Sequence, residues 1–139
     1  MHDQMVLTPH PGEMRRLFPR AGDGLSRAER AREFVATYPC TLLYKGARTV
    51  VTATEEDLHY NSTGHPGMAT GGQGDVLSGL LGALVAGGLR LMDAARAAAW
   101  LAGRAAELAI EEGQSAESLL AGDTARALGR AFEALRRGC

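Results

Sequence analysis

Apolar positions along this chain change their period several times, and each change marks an element. Met5 to Thr8 is a short apolar run that stops at Pro9, whose missing N–H cannot serve the middle of a ladder, so a strand is predicted to end there. Pro11-Gly12-Glu13-Met14 opens a short helix through Phe18, closed by Pro19, and a polar loop covers Ala21 to Leu25. Ser26 with Glu29 three residues later forms a capping box. Ala28, Ala31, Phe34 and Val35 then fall on one face at helical spacing, which predicts a helix ending near Pro39. Cys40 to Tyr44 is an apolar run of strand length, and Gly46-Ala47 turns it into the β-branched stretch Thr49 to Thr54. Leu58 to Tyr60 is a further short strand. Beyond it the pattern is helical: Val76 to about Ala86, an alanine-rich helix capped by Asp93 and running to about Glu112, and a last one capped by Asp123 and running to about Arg137. Strand, helix, strand, hairpin and then helices predict an α/β fold whose sheet is parallel in part. The Ala/Arg stripes of the late helices read as core and solvated faces.

The segment between the last strand and the next helix breaks every period. Asn61 to Asp75 holds five glycines and ends in a carboxylate immediately before the apolar helix. Glycines let backbone N–H groups approach an anion without Cβ obstruction, and a helix start presents roughly half a unit of positive charge to the same place. A carboxylate beside such a site is placed to take a proton from a hydroxyl attacking a phosphoryl group. The competing reading is that Asp75 only caps the helix and the glycines only make a turn.

Composition narrows the choice. The 139 residues fit one modest domain, with no internal repeat and no low-complexity linker. A formal net charge of −1 and 5% aromatic residues exclude a nucleic-acid surface, which needs clustered cations and stacking rings. Cys40 and Cys139 do not make a disulfide scaffold, and no two of the four histidines stand at ligand spacing, so no protein-held metal is expected. The apolar run after Asp75 is interrupted by Gly79, Gly82, Gly87 and Gly88 and is too short to cross a bilayer. A soluble, cytoplasmic protein is expected, without a nucleic-acid or membrane partner.

Two more places stand out. Lys45 is the only lysine in the chain and closes a strand in Lys45-Gly46-Ala47-Arg48-Thr49, where Gly46 permits a sharp turn and Thr49 offers a hydroxyl. The alternative is a solvated charge. His10 lies in Thr8-Pro9-His10-Pro11-Gly12-Glu13, held by flanking prolines, with Gly12 and the first helical N–H groups as a second anion-binding end. The alternative is a histidine that caps a turn. His2 and His59 carry no pattern and read as surface residues.

Together, NSTGHPGMATGGQGDVLSG, the upstream LTPHPGE and the intervening KGART closely resemble the ADP- or ATP-dependent NAD(P)H-hydrate dehydratases of the ribokinase-like superfamily. The likeness is strong from about Val6 to Ala86 and looser beyond. Family members are longer, and the resemblance implies that residues 1–139 correspond to the C-terminal half of a three-layer α/β/α sandwich. The resemblance implies Asp75 as the catalytic base, with His10, Pro11, Gly12, Glu13 and Met14 in the hydrated-nicotinamide site. It implies Lys45, Gly46, Ala47, Arg48 and Thr49 as a nucleotide turn. It also implies nucleotide contacts from His65, Gly67, Met68, Ala69, Thr70, Gly71, Gly72, Gln73 and Gly74. His65 and Gln73 replace the commoner Asn and Thr of the family. Hydrated NADH or NADPH and an adenine nucleotide are the implied ligands, with Mg²⁺ accompanying ADP or ATP. A small-molecule kinase of the same superfamily, or a nucleotide-binding half without activity of its own, would share these motifs. As a half, the chain is expected to be inactive alone and either to self-associate as a homo-oligomer or to require the missing N-terminal half.

Overall fold

A computed structural model describes residues 4–19 and 24–138. The loop expected over Ala21 to Leu25 therefore lies largely outside the described residues, as do His2 and Cys139. The chain divides into two compact units, residues 1–61 with 89–96, and residues 62–88 with 97–139.

In the first unit the elements are β1 (Val6–Leu7), α1 (Pro11–Leu17), α2 (Arg27–Thr37), β2 (Thr41–Tyr44), β3 (Val50–Ala53) and β4 (His59–Tyr60). The strands form one sheet in the order β1-β2-β3-β4. Because two helices intervene, β1 and β2 run parallel, with Val6 opposite Thr41, whereas the short turn after Tyr44 makes β2 and β3 antiparallel, with Tyr44 opposite Val50. Every residue of β2 is buried, as its unbroken apolar run predicts for a strand covered on both faces. One face carries Leu42, Tyr44 and Val50 against Met14, Ala31, Phe34 and Val35. Phe18 closes that core edge-on to Phe34, with ring centroids 5.6 Å apart.

The second unit contains α3 (Gln73–Ala86), the larger part of α4 (Leu91–Glu111), α5 (Ala121–Arg136) and one-turn 3₁₀ helices at Pro66–Met68 and Ala116–Ser118. Leu77, Leu80 and Leu81 form the buried stripe of α3, and alanines supply most of the buried face of α4. The loop after Asn61 lies directly on α4. A Cβ at Gly103 would overlap the Thr63 hydroxyl, which donates to the Trp100 carbonyl at 2.8 Å, while the Gly64 N–H donates to Glu107 at 2.7 Å.

Three helices begin earlier than their sequence signals suggest. α3 starts at Gln73 and not Val76, α4 at Leu91 and not Asp93, and α5 at Ala121 and not Asp123. In each case the acid that marks the start stands at the third helical position, where a carboxylate also meets the positive helix end, and not at the cap.

Candidate anion site and base

Among the described residues all five α-helices carry an acid at this third position: Glu13, Glu29, Asp75, Asp93 and Asp123. Four of them are engaged. Glu13 accepts the His10 N–H at 2.6 Å, Glu29 the Ser26 N–H at 2.8 Å, Asp123 the Leu120 N–H at 2.9 Å, and Asp93 the Arg90 Nε–H at 2.9 Å. These bonds hold the four carboxyls below their ordinary range. The His10 N–H is the leading cause for Glu13, the Leu120 N–H for Asp123, the Ser26 hydroxyl followed by its N–H for Glu29, and the Arg90 side chain for Asp93. Asp75 differs. It is exposed, and its carboxylate has neither a hydrogen bond nor an ion pair among the described residues.

The cause lies in the cap residue. A capping box needs an extended N-cap whose own N–H faces the third-position acid, and His10 (φ −85°, ψ 171°), Ser26 (φ −60°, ψ 162°) and Leu120 (φ −104°, ψ 159°) are all extended. Gly72, the cap of α3, is left-handed (φ 86°, ψ −16°) and has no side chain to donate or accept. Asp75 is thus not drawn back onto the cap. The N–H groups of Gly71, Gly72, Gln73 and Gly74 also have no acceptor among the described residues; the first engaged is that of Asp75, which donates to the Gly72 carbonyl at 3.0 Å. Four successive donors without a partner thus stand at the positive end of a 14-residue helix, an arrangement chemically suited to an anion and referred to below as the nest.

The glycines of this nest have different reasons to be there. Gly72 is required by its φ and because a Cβ would stand 3.0 Å from that of Ala121. Gly71 has no such reason, since an added Cβ would meet nothing within 4 Å. Gln73 turns inward: it is only 9% exposed, and both polar atoms of its carboxamide are buried without a partner.

Upstream in the same unit, His65 caps the 3₁₀ turn with Nδ1, which accepts the Gly67 N–H at 3.1 Å. An asparagine would accept the same bond with its side-chain oxygen, so the departure at position 65 preserves the cap. A Cβ at Gly67 would come within 2.5 Å of the Ala116 carbonyl, which makes that glycine a packing requirement. Met68 is half-buried, whereas Ala69 and Thr70 are exposed beside the nest.

The first unit gathers the remaining expected residues. His10 caps α1, its Nδ1 accepting the N–H groups of Gly12 at 3.0 Å and Glu13 at 3.2 Å. This requires the neutral ring to carry its proton on Nε2, which faces Glu13 at 3.5 Å. The expected second anion-binding end is therefore closed: Pro11 has no N–H, Gly12 and Glu13 are taken by His10, and Met14 donates to the His10 carbonyl at 2.9 Å. Met14 also departs from expectation. Three residues along the helix from Pro11 it points inward, is fully buried, and serves the core. Lys45 is a partnered charge, with Nζ 3.7 Å from Glu13, so the two motifs meet. Ala47 and Arg48 are exposed, and the Thr49 hydroxyl donates to the Gly46 carbonyl at 3.1 Å within its own turn. Beside them, Leu7, Thr8, Pro9, Glu13, Arg16 and Leu17 line a pocket of about 390 Å³.

One residue at this turn was not legible in the motifs. Arg27, far from it in sequence, donates to two of its carbonyls. The signal was present but generic: a cation at the first position of α2, where the helix dipole opposes it.

The profile of the NAD(P)H-hydrate dehydratase family matches residues 1–128. The ADP-dependent (S)-NAD(P)H-hydrate dehydratase of Neisseria meningitidis serogroup B is 39% identical over 125 residues, covering 88% of this chain and 42% of that protein. The bifunctional NAD(P)H-hydrate repair enzyme Nnr of Moorella thermoacetica is 43% identical over 125 residues, 88% of this chain and 23% of its own length. Among solved structures, the ADP/ATP-dependent NAD(P)H-hydrate dehydratase of Bacillus subtilis, co-crystallised with ATP and Mg²⁺ and soaked with CoA, superposes with a TM-score of 0.85 at 34% identity. It covers 92% of this chain and 48% of that one. A ribokinase-like superfamily protein of Enterococcus faecalis superposes with a TM-score of 0.76 at 26% identity, in keeping with the expected fold class. The chain thus spans less than half the length of these relatives.

Proposed function

The chain belongs to the NAD(P)H-hydrate dehydratase family, and from that premise we propose that it supplies the base and the phosphate cradle for ADP- or ATP-dependent dehydration of hydrated NADH or NADPH. The observation that carries this reading is the freedom of Asp75 beside four unengaged N–H groups, where every other third-position acid is spent on its own helix. The nest formed by Gly71 to Gly74 would hold the phosphate being transferred. Asp75 would accept the proton of the substrate hydroxyl as its oxygen bonds to phosphorus and the bond to the leaving nucleotide breaks. The new phosphate then leaves with the electron pair of its C–O bond while the adjacent ring carbon gives up a proton to water, and the C–H electron pair becomes the C=C bond that restores the reduced ring. By the family resemblance, Lys45 to Thr49 and His65 to Thr70 would each contribute contacts to the nucleotide, and His10 to Glu13 to the hydrated nicotinamide nucleotide.

No group of three His, Cys, Asp or Glu side chains stands together among the described residues. Mg²⁺ would come in on the nucleotide, with Asp75 at the third position of α3 as a carboxylate at the same helix start; bound there, the ion would neutralise charge on the transferring phosphoryl group.

The test is repair of hydrated NADH, followed by the return of reduced-ring absorbance with ADP or ATP, for the chain alone and co-expressed with the N-terminal portion of a relative. We expect turnover in the complemented sample, lost in Asp75→Asn while nucleotide still binds. Phosphoryl transfer without return of absorbance would identify a kinase. Nucleotide binding with neither reaction would identify a binding module.

A further inference from the structure

The turn between β2 and β3 contains two left-handed residues, Gly46 at φ 142° and Arg48 at φ 54°. The second is not a glycine, so the turn stores strain and persists only if its surroundings over-determine it. Arg27 does so. Its Nη1 donates to the carbonyls of Lys45 at 3.1 Å and Ala47 at 3.3 Å, on either side of Gly46. Its guanidinium carbon lies 5.0 Å from the centroid of the Tyr44 ring, and Tyr44 is itself buried in the core. A Cβ at Gly46 would overlap the guanidinium, so the glycine leaves room for the arginine. All of these residues belong to one unit. At the first position of α2 an arginine opposes the helix dipole, and the two carbonyls explain why it is nonetheless there.

We propose that Arg27 is a positioning residue: by fixing the backbone of the Lys45–Thr49 turn it sets where Lys45 stands for the terminal phosphates of a nucleotide. The claim about the turn is independent of function, whereas the claim about phosphates rests on the reading given under Proposed function.

A double-mutant cycle on the full chain tests both. Calorimetry with ADP and AMP is run on wild type, Arg27→Ala, Arg27→Lys, Lys45→Ala and the Arg27→Ala/Lys45→Ala pair. Arg27→Ala should weaken ADP by about tenfold and AMP by less. That loss should vanish in the Lys45→Ala background, because nothing remains to be positioned. Arg27→Lys, which keeps donors but not the planar stack on Tyr44, should fall between. Equal losses for both nucleotides, additive with Lys45→Ala, would make Arg27 a fold residue and overturn the proposal. Amide hydrogen exchange without nucleotide reads the turn directly. In Arg27→Ala and, more weakly, Arg27→Lys, exchange should quicken over residues 45–49 and stay unchanged over residues 31–35 of α2. Unchanged exchange over residues 45–49, or loosening of all α2, would also overturn it. If wild type binds neither nucleotide, the functional reading fails while the exchange experiment still judges Arg27.

Discussion

At the start of α1 every available N–H of the first turn has an acceptor, whereas at the start of α3 the N–H groups of Gly71, Gly72, Gln73 and Gly74 have none. Both starts include glycine, one at α1 and three at α3, and both carry an acid at the third position. The difference is the cap. His10 is extended and brings an acceptor with it, so helix and cap satisfy each other and Glu13 is held back on the His10 N–H. Gly72 is left-handed and brings nothing, so donors and carboxylate face outward together. A helix start stays open when its cap does not close it, and here the left-handed, side-chain-free Gly72 makes that difference.

The largest expected effect separates the two acids. Asp75→Asn should lower turnover by ~10² to 10⁴ with nucleotide affinity retained, the range expected for a lost general base. Glu13→Gln, the same change on α1, should act mainly on stability, costing about 1 kcal/mol by denaturant titration through a weaker capping box. Equal kinetic losses would erase the distinction.

The two glycines of the nest sharpen it further. Gly72→Ala forces a left-handed alanine against Ala121 and should cost about 1 to 2 kcal/mol of stability. Gly71→Ala meets nothing in the fold and should leave stability within about 0.5 kcal/mol, yet weaken ADP by about tenfold if a phosphate approaches that backbone. Thermal unfolding and calorimetry on the same samples would show whether the two effects part.

Lys45→Ala should weaken ADP more than AMP, by several-fold to about tenfold, since a point charge acts most on the terminal phosphate. Equal losses would indicate a folding defect transmitted through its partner Glu13.

How much of this was legible follows the same line. The capping box of Ser26 and Glu29, the hairpin around Gly46 and the buried β2 strand are written in local pattern, and the structure has them. Asp75, Asp93 and Asp123 announced three helices but not their first residues, because an acid near a helix start is favoured both at the cap and two or three residues in. Gly67 and Gly103 are glycines for the sake of Ala116 and Thr63, distant in sequence. Met14 stood inside a motif, and only the helix turn shows that it faces the core. The Arg27 contact crosses from one helix to a turn that sequence spacing cannot bring together.

The smallest effect is on pH dependence. The carboxyls of Glu13, Glu29, Asp93 and Asp123 lie below their ordinary range when folded, so their stabilisation is present above the unfolded pKa and is lost as pH falls through the folded one. Melting temperature should decline modestly on acidification below about pH 4. The decline should be shallower in Glu13→Gln, whose folded-state bond to His10 no longer titrates.

Backbone amide shifts of the ¹⁵N-labelled chain titrated with Mg·ADP test the central claim most directly. The account predicts saturable shifts at Gly71, Gly72, Gln73 and Gly74, with the amides of Gly12 and Glu13 unmoved because His10 already occupies them. Shifts at Gly12 and Glu13 with none across Gly71 to Gly74 would contradict it.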